Sequence, residues 1–159
     1  MSFVPEIENA VRERFLSMVS RFRGAKLVLS EGVPSSKSAV VSEAPIYSYG
    51  YYNCRAIVLV QGNRAGLCHM TPDADVGAFL KFMLKSFGKG KVGAYILEAN
   101  MKYSMDITSV CKVYNVEVLG KFVRTDPTCS QCVLVLPHRK EVRVVGRNRP
   151  RIVSWSSLI

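Results

Sequence analysis

No run of about 18 apolar residues, the length a helix needs to cross a bilayer, occurs anywhere in these 159 residues. The N-terminal stretch 1–15 carries Glu6 and Glu8 early and lacks the apolar segment of a secretory leader. No glycine-rich phosphate loop, no Gly-x-Ser-x-Gly elbow and no glutamate-rich metal cluster is present. Histidine is scarce, with His69 and His138 alone. The five cysteines have no framework spacing, so a reducing, cytoplasmic setting is expected rather than a disulfide scaffold. Cys129-Ser130-Gln131-Cys132 has no second pair to complete a four-ligand zinc site, and it precedes a strand rather than a helix. Acidic residues are also short: 12 against 22 Lys and Arg, a formal charge of +10. That balance suits an acidic partner surface, nucleic acid or anionic lipid, and equally a plainly solvated basic surface.

What is present is apolar periodicity. At 48% hydrophobic residues the chain has enough for one sizeable core, and a single domain over 1–159 is expected. Ile7, Val11, Phe15, Met18 and Phe22 recur at helical spacing, predicting an amphipathic helix over 5–22 packed on the domain. Pro5 and Gly24 punctuate it, and Arg21 and Arg23 suit its C-terminal dipole. A second helix is expected from Thr71 as N-cap and Pro72 at N1, with Val76, Phe79, Leu80, Met83 and Phe87 inward and Gly88 at its end. A third covers 105–115, with Cys111 in the core. Strands are expected at 25–30, 38–42, 55–60, 65–70, 92–97, 116–124 with a bulge at Gly120, 131–136 and 141–145. Eight strands and three helices in this order make a mixed α+β domain with largely antiparallel sheets. The basic tail 146–159 ends in Trp155, Leu158 and Ile159, which are expected to dock on the surface or on a partner.

The stretch Ser48–Thr71 carries the chemistry. Two apolar runs, 55–60 and 65–70, flank Gln61-Gly62-Asn63-Arg64, which is turn composition. A loop at Gln61-Gly62 sets Cys54 across from His69. A loop at Gly62-Asn63 sets Cys54 across from Thr71, with His69 a diagonal neighbour on the same face. A three-residue loop puts thiol and imidazole on opposite faces. A thiol beside an imidazole is a nucleophile with its base. The same spacing also fits a buried cysteine and a satisfied histidine that are merely neighbours. Ahead of the pair lie Tyr47, Tyr49, Tyr51 and Tyr52. They fit a substrate groove, a base-stacking surface or a half-buried strand.

These residues resemble the glutamine deamidase family CheD and, more distantly, the catalytic domains of the cytotoxic necrotizing factor toxins. CheD proteins carry Thr-x-Gly-x-Gly-Ser-Cys, a strand, a turn, then a His followed closely by Pro. Ser48 stands at the Thr, Gly50 at the first Gly, Cys54 at the Cys, His69 at the His and Pro72 just beyond; Tyr52 and Asn53 depart from the second Gly and the Ser. Glu98-Ala99-Asn100-Met101 resembles the family's Gly-Ala-Asn-Met, and the likeness runs from near Ala25 to near Val145. The resemblance implies an αββα sandwich and a cysteine hydrolase that converts glutamine side chains of another protein to glutamate. Cys54 would be the nucleophile, His69 the base and Ser48 the group fixing the imidazole. Tyr49, Tyr51, Tyr52 and Asn53 would line the substrate mouth. No metal or organic cofactor is required, and a monomer is expected. The basic balance points to a protein substrate with an acidic surface. The readings from other classes are a nucleic-acid-binding module and an interaction domain without chemistry. A catalytic Cys54 is expected to alkylate below the free-thiol pKa of about 8.5.

Overall fold

The structure, a computed structural model, describes residues 2–156. The chain opens with α1 (Pro5–Val19), where Pro5 fills the first position, whose N–H has no intrahelical partner in any helix. The helix ends sooner than its apolar stripe, because the N–H groups of Arg21 and Phe22 turn back to Met18 and Val19 in tighter bonds. Arg21 and Arg23 therefore lie past its last turn.

Among the described residues, ten strands form two five-stranded sheets. They are β1 (Lys26–Leu27), β2 (Ala39–Ser42), β3 (Ile46–Tyr51), β4 (Ala56–Gln61), β5 (Arg64–Cys68), β6 (Gly93–Ala99), β7 (Glu117–Arg124), β8 (Gln131–Leu136), β9 (Glu141–Val145) and β10 (Arg151–Ser154). The first sheet runs β1-β3-β8-β9-β10 and the second β2-β5-β4-β6-β7. Each holds one parallel pair, β1 with β3 and β6 with β7; all other pairs are antiparallel. The two strands beyond the expected eight are β3, within the tyrosine segment, and β10, within the basic tail. Gly120 is placed by close approach: a Cβ there would meet the Tyr95 ring at 3.2 Å, and the irregularity falls beside it, between Val118 and Gly120.

The sheets pack face to face. Val58 and Val60 of β4 and Leu67 of β5 meet Ile46, Val133, Val135, Val142 and Val144 of the other sheet. The alternate residues, Ile57 and Leu59, face outward under α2 (Val76–Leu84) and α3 (Ile107–Val113). Central strand β4 is thus buried on both sides, which is why it reads as a continuous apolar run. On the outer face of the first sheet, Val11, Phe15 and Val19 of α1 cover Leu134, Leu136 and Val145. The four layers are helix, sheet, sheet, helix: the αββα sandwich.

Helix α2 begins at Val76 rather than near Thr71, with the Asp75 carboxylate accepting from Ala78 N at 3.2 Å. Residues 70 and 71 are still held in sheet-like pairing, Met70 to Arg55 and Thr71 N to Glu31 O, so the helix cannot start there. The tail does not simply lie on the surface. β10 extends the first sheet, and Trp155, 5% exposed, donates from its ring N–H to Gly62 O across the sandwich at 2.9 Å. Leu158 and Ile159 lie outside the described residues.

Candidate functional site

Two sheets contribute to one end of the seam between them. In the β4–β5 hairpin Gln61 pairs with Arg64, so of the two turns open in the sequence, Gly62-Asn63 is formed. The register continues to Arg55 opposite Met70. His69 is then the diagonal neighbour of Cys54 on the inward face. Backbone bonds hold His69 on both sides: its N–H donates to Ser38 O at 3.0 Å and its carbonyl accepts from Glu31 N at 3.2 Å. Cys54 sits in the connection from β3 to β4. Gly50 makes that connection possible, at a φ of 82° that L side chains avoid. The register of β3 against β8 shifts between Ser48 and Tyr51. That shift turns both side chains toward the seam despite their odd spacing.

Cys54 and His69 open onto one cavity of about 250 Å³. Its walls are largely apolar, from Leu27 at the end of β1, Val28 and Leu29 just after it, and Tyr49 and Gly50 of β3. Ser48 is fully buried and makes two bonds: its hydroxyl donates to Val28 O at 2.7 Å and lies 2.8 Å from His69 Nδ1. A hydroxyl has one proton, and Val28 O can only accept. The Ser48 oxygen therefore accepts from Nδ1–H, and this fixes the tautomer. Nε2 is left with its lone pair, buried and without a partner among the described residues. Burial lowers the His69 pKa to about 4, so the ring is neutral near pH 7.

The thiol is held in the same sense. Burial raises the Cys54 pKa, and a contact with the Ser30 hydroxyl at 3.7 Å partly offsets this. The resting pair is thiol and neutral imidazole, not thiolate and imidazolium. Burial thus acts against the depressed pKa expected of a catalytic Cys54, which needs a cationic neighbour, whereas desolvation leaves the imidazole uncharged.

Of the four tyrosines at 47, 49, 51 and 52, only Tyr49 lines the cavity. Tyr51 is 1% exposed, stacks on the His69 ring and donates its hydroxyl to Cys68 O at 2.9 Å. Tyr52 is engaged elsewhere, with its hydroxyl on Pro127 O at 2.7 Å and Arg124 over its ring. Asn53 is exposed, and its carbonyl takes the Tyr103 hydroxyl at 3.0 Å. Tyr51 thus supports the site from behind, Tyr52 and Asn53 are engaged away from it, and none of the three lines its cavity. The register shift after Gly50 reverses which rings point inward, a reversal that alternation alone does not foresee. Conversely Ser30 and the Val28 carbonyl belong to the site with no signal in the sequence beyond their place in the expected strand 25–30, and Tyr51 belongs to it as a ring stacked on His69 rather than as a mouth residue.

The other cysteines are packing residues. Cys129 and Cys132 are buried under α1 as free thiols, and the intervening Ser130 gives its N–H and hydroxyl to Glu8 at 2.7 and 2.6 Å. No cluster of metal-ligating side chains occurs among the described residues. No helix there is long and apolar enough to cross a membrane.

No family model and no curated protein matches this chain. Among solved structures, the crystal structure of a Neisseria meningitidis protein assigned to family model DUF152 is similar in fold, with a TM-score of 0.52. It aligns over 74% of this chain and 68% of that one at 10% identity. The likeness is one of fold. Its subject is a DUF152 protein rather than a CheD deamidase, so the CheD resemblance rests on the motifs around Cys54 and His69.

Proposed function

We propose that this chain is a cysteine-dependent hydrolase acting on glutamine side chains of another protein. One observation carries the reading: an imidazole oriented by Ser48, its Nε2 buried and unpartnered among the described residues, belongs to the lining of the same cavity as Cys54. The motif resemblance to CheD adds the substrate class.

With both groups neutral at rest, the proton moves as the bond forms. Cys54 Sγ attacks the carboxamide carbon while His69 Nε2 takes the thiol proton. The imidazolium so created is stabilised by Ser48, whose oxygen already accepts from Nδ1–H. His69 returns the proton to the departing amide nitrogen, ammonia leaves, and a thioester remains. Water, deprotonated by the same Nε2, hydrolyses the thioester to glutamate and regenerates the thiol. The apolar walls from Leu27 to Leu29 strengthen these charge shifts by excluding water. The net charge of +10 favours target loops that are acidic, so association weakens with salt.

A second reading, an interaction domain that keeps the fold without the chemistry, is favoured by the raised Cys54 pKa. The deciding experiment is incubation with candidate proteins and mass spectrometry for Gln-to-Glu conversion. Conversion by the wild type and none by Cys54→Ser supports the hydrolase. Conversion that persists in Cys54→Ser places the nucleophile elsewhere.

A further inference from the structure

A second cavity, of about 230 Å³, opens where β7 and β8 approach the loop between β9 and β10, and neither the motif resemblance nor the proposed chemistry uses it. Arg124, Arg147, Arg149 and Arg151 all contribute to its lining, with Asp126 the one carboxylate among them. Asp126 is already committed, since its Oδ1 takes the N–H and hydroxyl of Thr128 at 2.9 and 2.5 Å. The loop that carries Arg147 and Arg149 is pinned from behind: Arg14 of α1 donates to Gly146 O at 2.5 Å and Arg147 O at 3.3 Å. Arg124 is fixed by bonds to Tyr52 O at 2.7 Å and Asp126 O at 2.6 Å. Gln131 adds an independent sign. It lines the same cavity, and its side-chain oxygen is buried with no partner among the described residues. With the oxygen at the buried end, the N–H₂ is the accessible end of the amide and can donate to an anion.

The geometry points to a binding site for the diphosphate group of a small ligand. Four arginine residues against one carboxylate leave three net positive charges along the lining, with the Arg124 guanidinium against Tyr52 and the Arg151 guanidinium over the Phe122 ring. A monocarboxylate would leave two of them unmatched, whereas two linked phosphates supply roughly three negative charges at neutral pH. The planar forks of arginine match phosphate oxygens in pairs. Sites that enclose a whole drug-sized ligand start at about 300 Å³. This smaller cavity seats a head group and leaves the remainder of the ligand outside. It is a walled recess rather than a groove, so it suits a compact anion better than the track of a polymer backbone.

The test is calorimetric titration of the full chain with inorganic pyrophosphate at low and physiological salt. One saturable site is expected, weaker at the higher salt. Arg147→Gln with Arg149→Gln removes two exposed cations that make no side-chain hydrogen bond within the described fold, and should weaken binding tenfold or more. Gln131→Met changes no charge and should weaken it at least threefold. Lys85→Gln with Lys89→Gln, exposed cations at the end of α2, should leave it within twofold. Absence of saturable binding overturns the proposal, as does equal weakening by the lysine and arginine pairs. A single-stranded RNA dodecamer or a glutamate-rich peptide that binds while pyrophosphate neither binds nor competes assigns the surface to a polymer, and overturns it too.

Discussion

The Tyr51 ring lies against the His69 imidazole, with centroids 3.8 Å apart and planes 16° from parallel. The phenol hydroxyl is anchored to Cys68 O, the residue before the histidine, so ring and backbone hold His69 together. Tyr51→Phe should keep the stack and lose one buried hydrogen bond, costing about 1–2 kcal/mol. Tyr51→Ala should cost about 3–5 kcal/mol and free the imidazole. Urea midpoints check both, and near-equal costs would show that the stack contributes nothing.

Stability should fall on the acid side through His69. Its folded pKa, about 4, lies below its ordinary value of 6.5. The unfolded chain therefore takes up a proton first. The contribution of the neutral ring is present above pH ~6.5 and is lost as pH falls toward 4. Between pH 7 and pH 5 the loss is about 2 kcal/mol. His69→Gln should lose that much less over the same interval in urea unfolding, and parallel slopes for the two proteins would refute it.

Thiol reactivity should single out Cys54, but at high pH. It is the half-buried cysteine, while the others are fully buried. Burial pushes Cys68 and Cys132 up to about 12 and Cys111 to about 11. Mass spectrometry of iodoacetamide-treated native protein should find Cys54 modified first, with a midpoint above about pH 8.5. Ser30→Ala should move the midpoint higher, because the Ser30 contact lowers the thiol pKa. A midpoint well below 8.5 would mean that the thiolate forms at rest, against the neutral pair derived above.

Arg55 is a fully buried cation next to Cys54, with no carboxylate at ion-pair distance among the described residues, although Glu98 and Asp106 act on it from farther away. Its Nη1 donates to Met105 O at 2.6 Å and its guanidinium stacks on Tyr103 at 4.1 Å, while Nε and Nη2 have no partners among the described residues. Arg55→Met should hold stability within about 1 kcal/mol or raise it, since similar volume replaces an undercompensated charge. Arg55→Ala should lose about 3–5 kcal/mol by opening a cavity. If Arg55→Met loses as much as Arg55→Ala, the charge itself is stabilising.

Much of this was legible in the sequence. Strands β8 and β9 fall on the expected 131–136 and 141–145, because each sets valines at alternate positions, 133 and 135 or 142 and 144, between strong turn residues. The hairpin arithmetic left Cys54 and His69 on one face for either two-residue turn. What was hidden depends on contacts distant in sequence. Ser30 reaches Cys54, and Val28 orients Ser48, only because the parallel pairing of β1 with β3 brings 26–30 alongside the site. The Gly50 shift reassigned the tyrosines. Strand β10 was concealed by charge, since Arg151-Ile152-Val153-Ser154 lies on a sheet edge with three of its four residues exposed and needs little apolar patterning.

The Ser48–His69 contact joins a strand of one sheet to the end of a strand of the other. It acts as a vernier on how the two halves of the sandwich are seated. A glide of one sheet over the other by a single residue step, about 3.4 Å, would leave every strand ladder intact and still break it. The histidine would then lose its tautomer while circular dichroism registered no change. A chain that is fully pleated yet chemically silent is therefore a state this architecture can adopt, and the imidazole Nδ1 proton is the signal that distinguishes it.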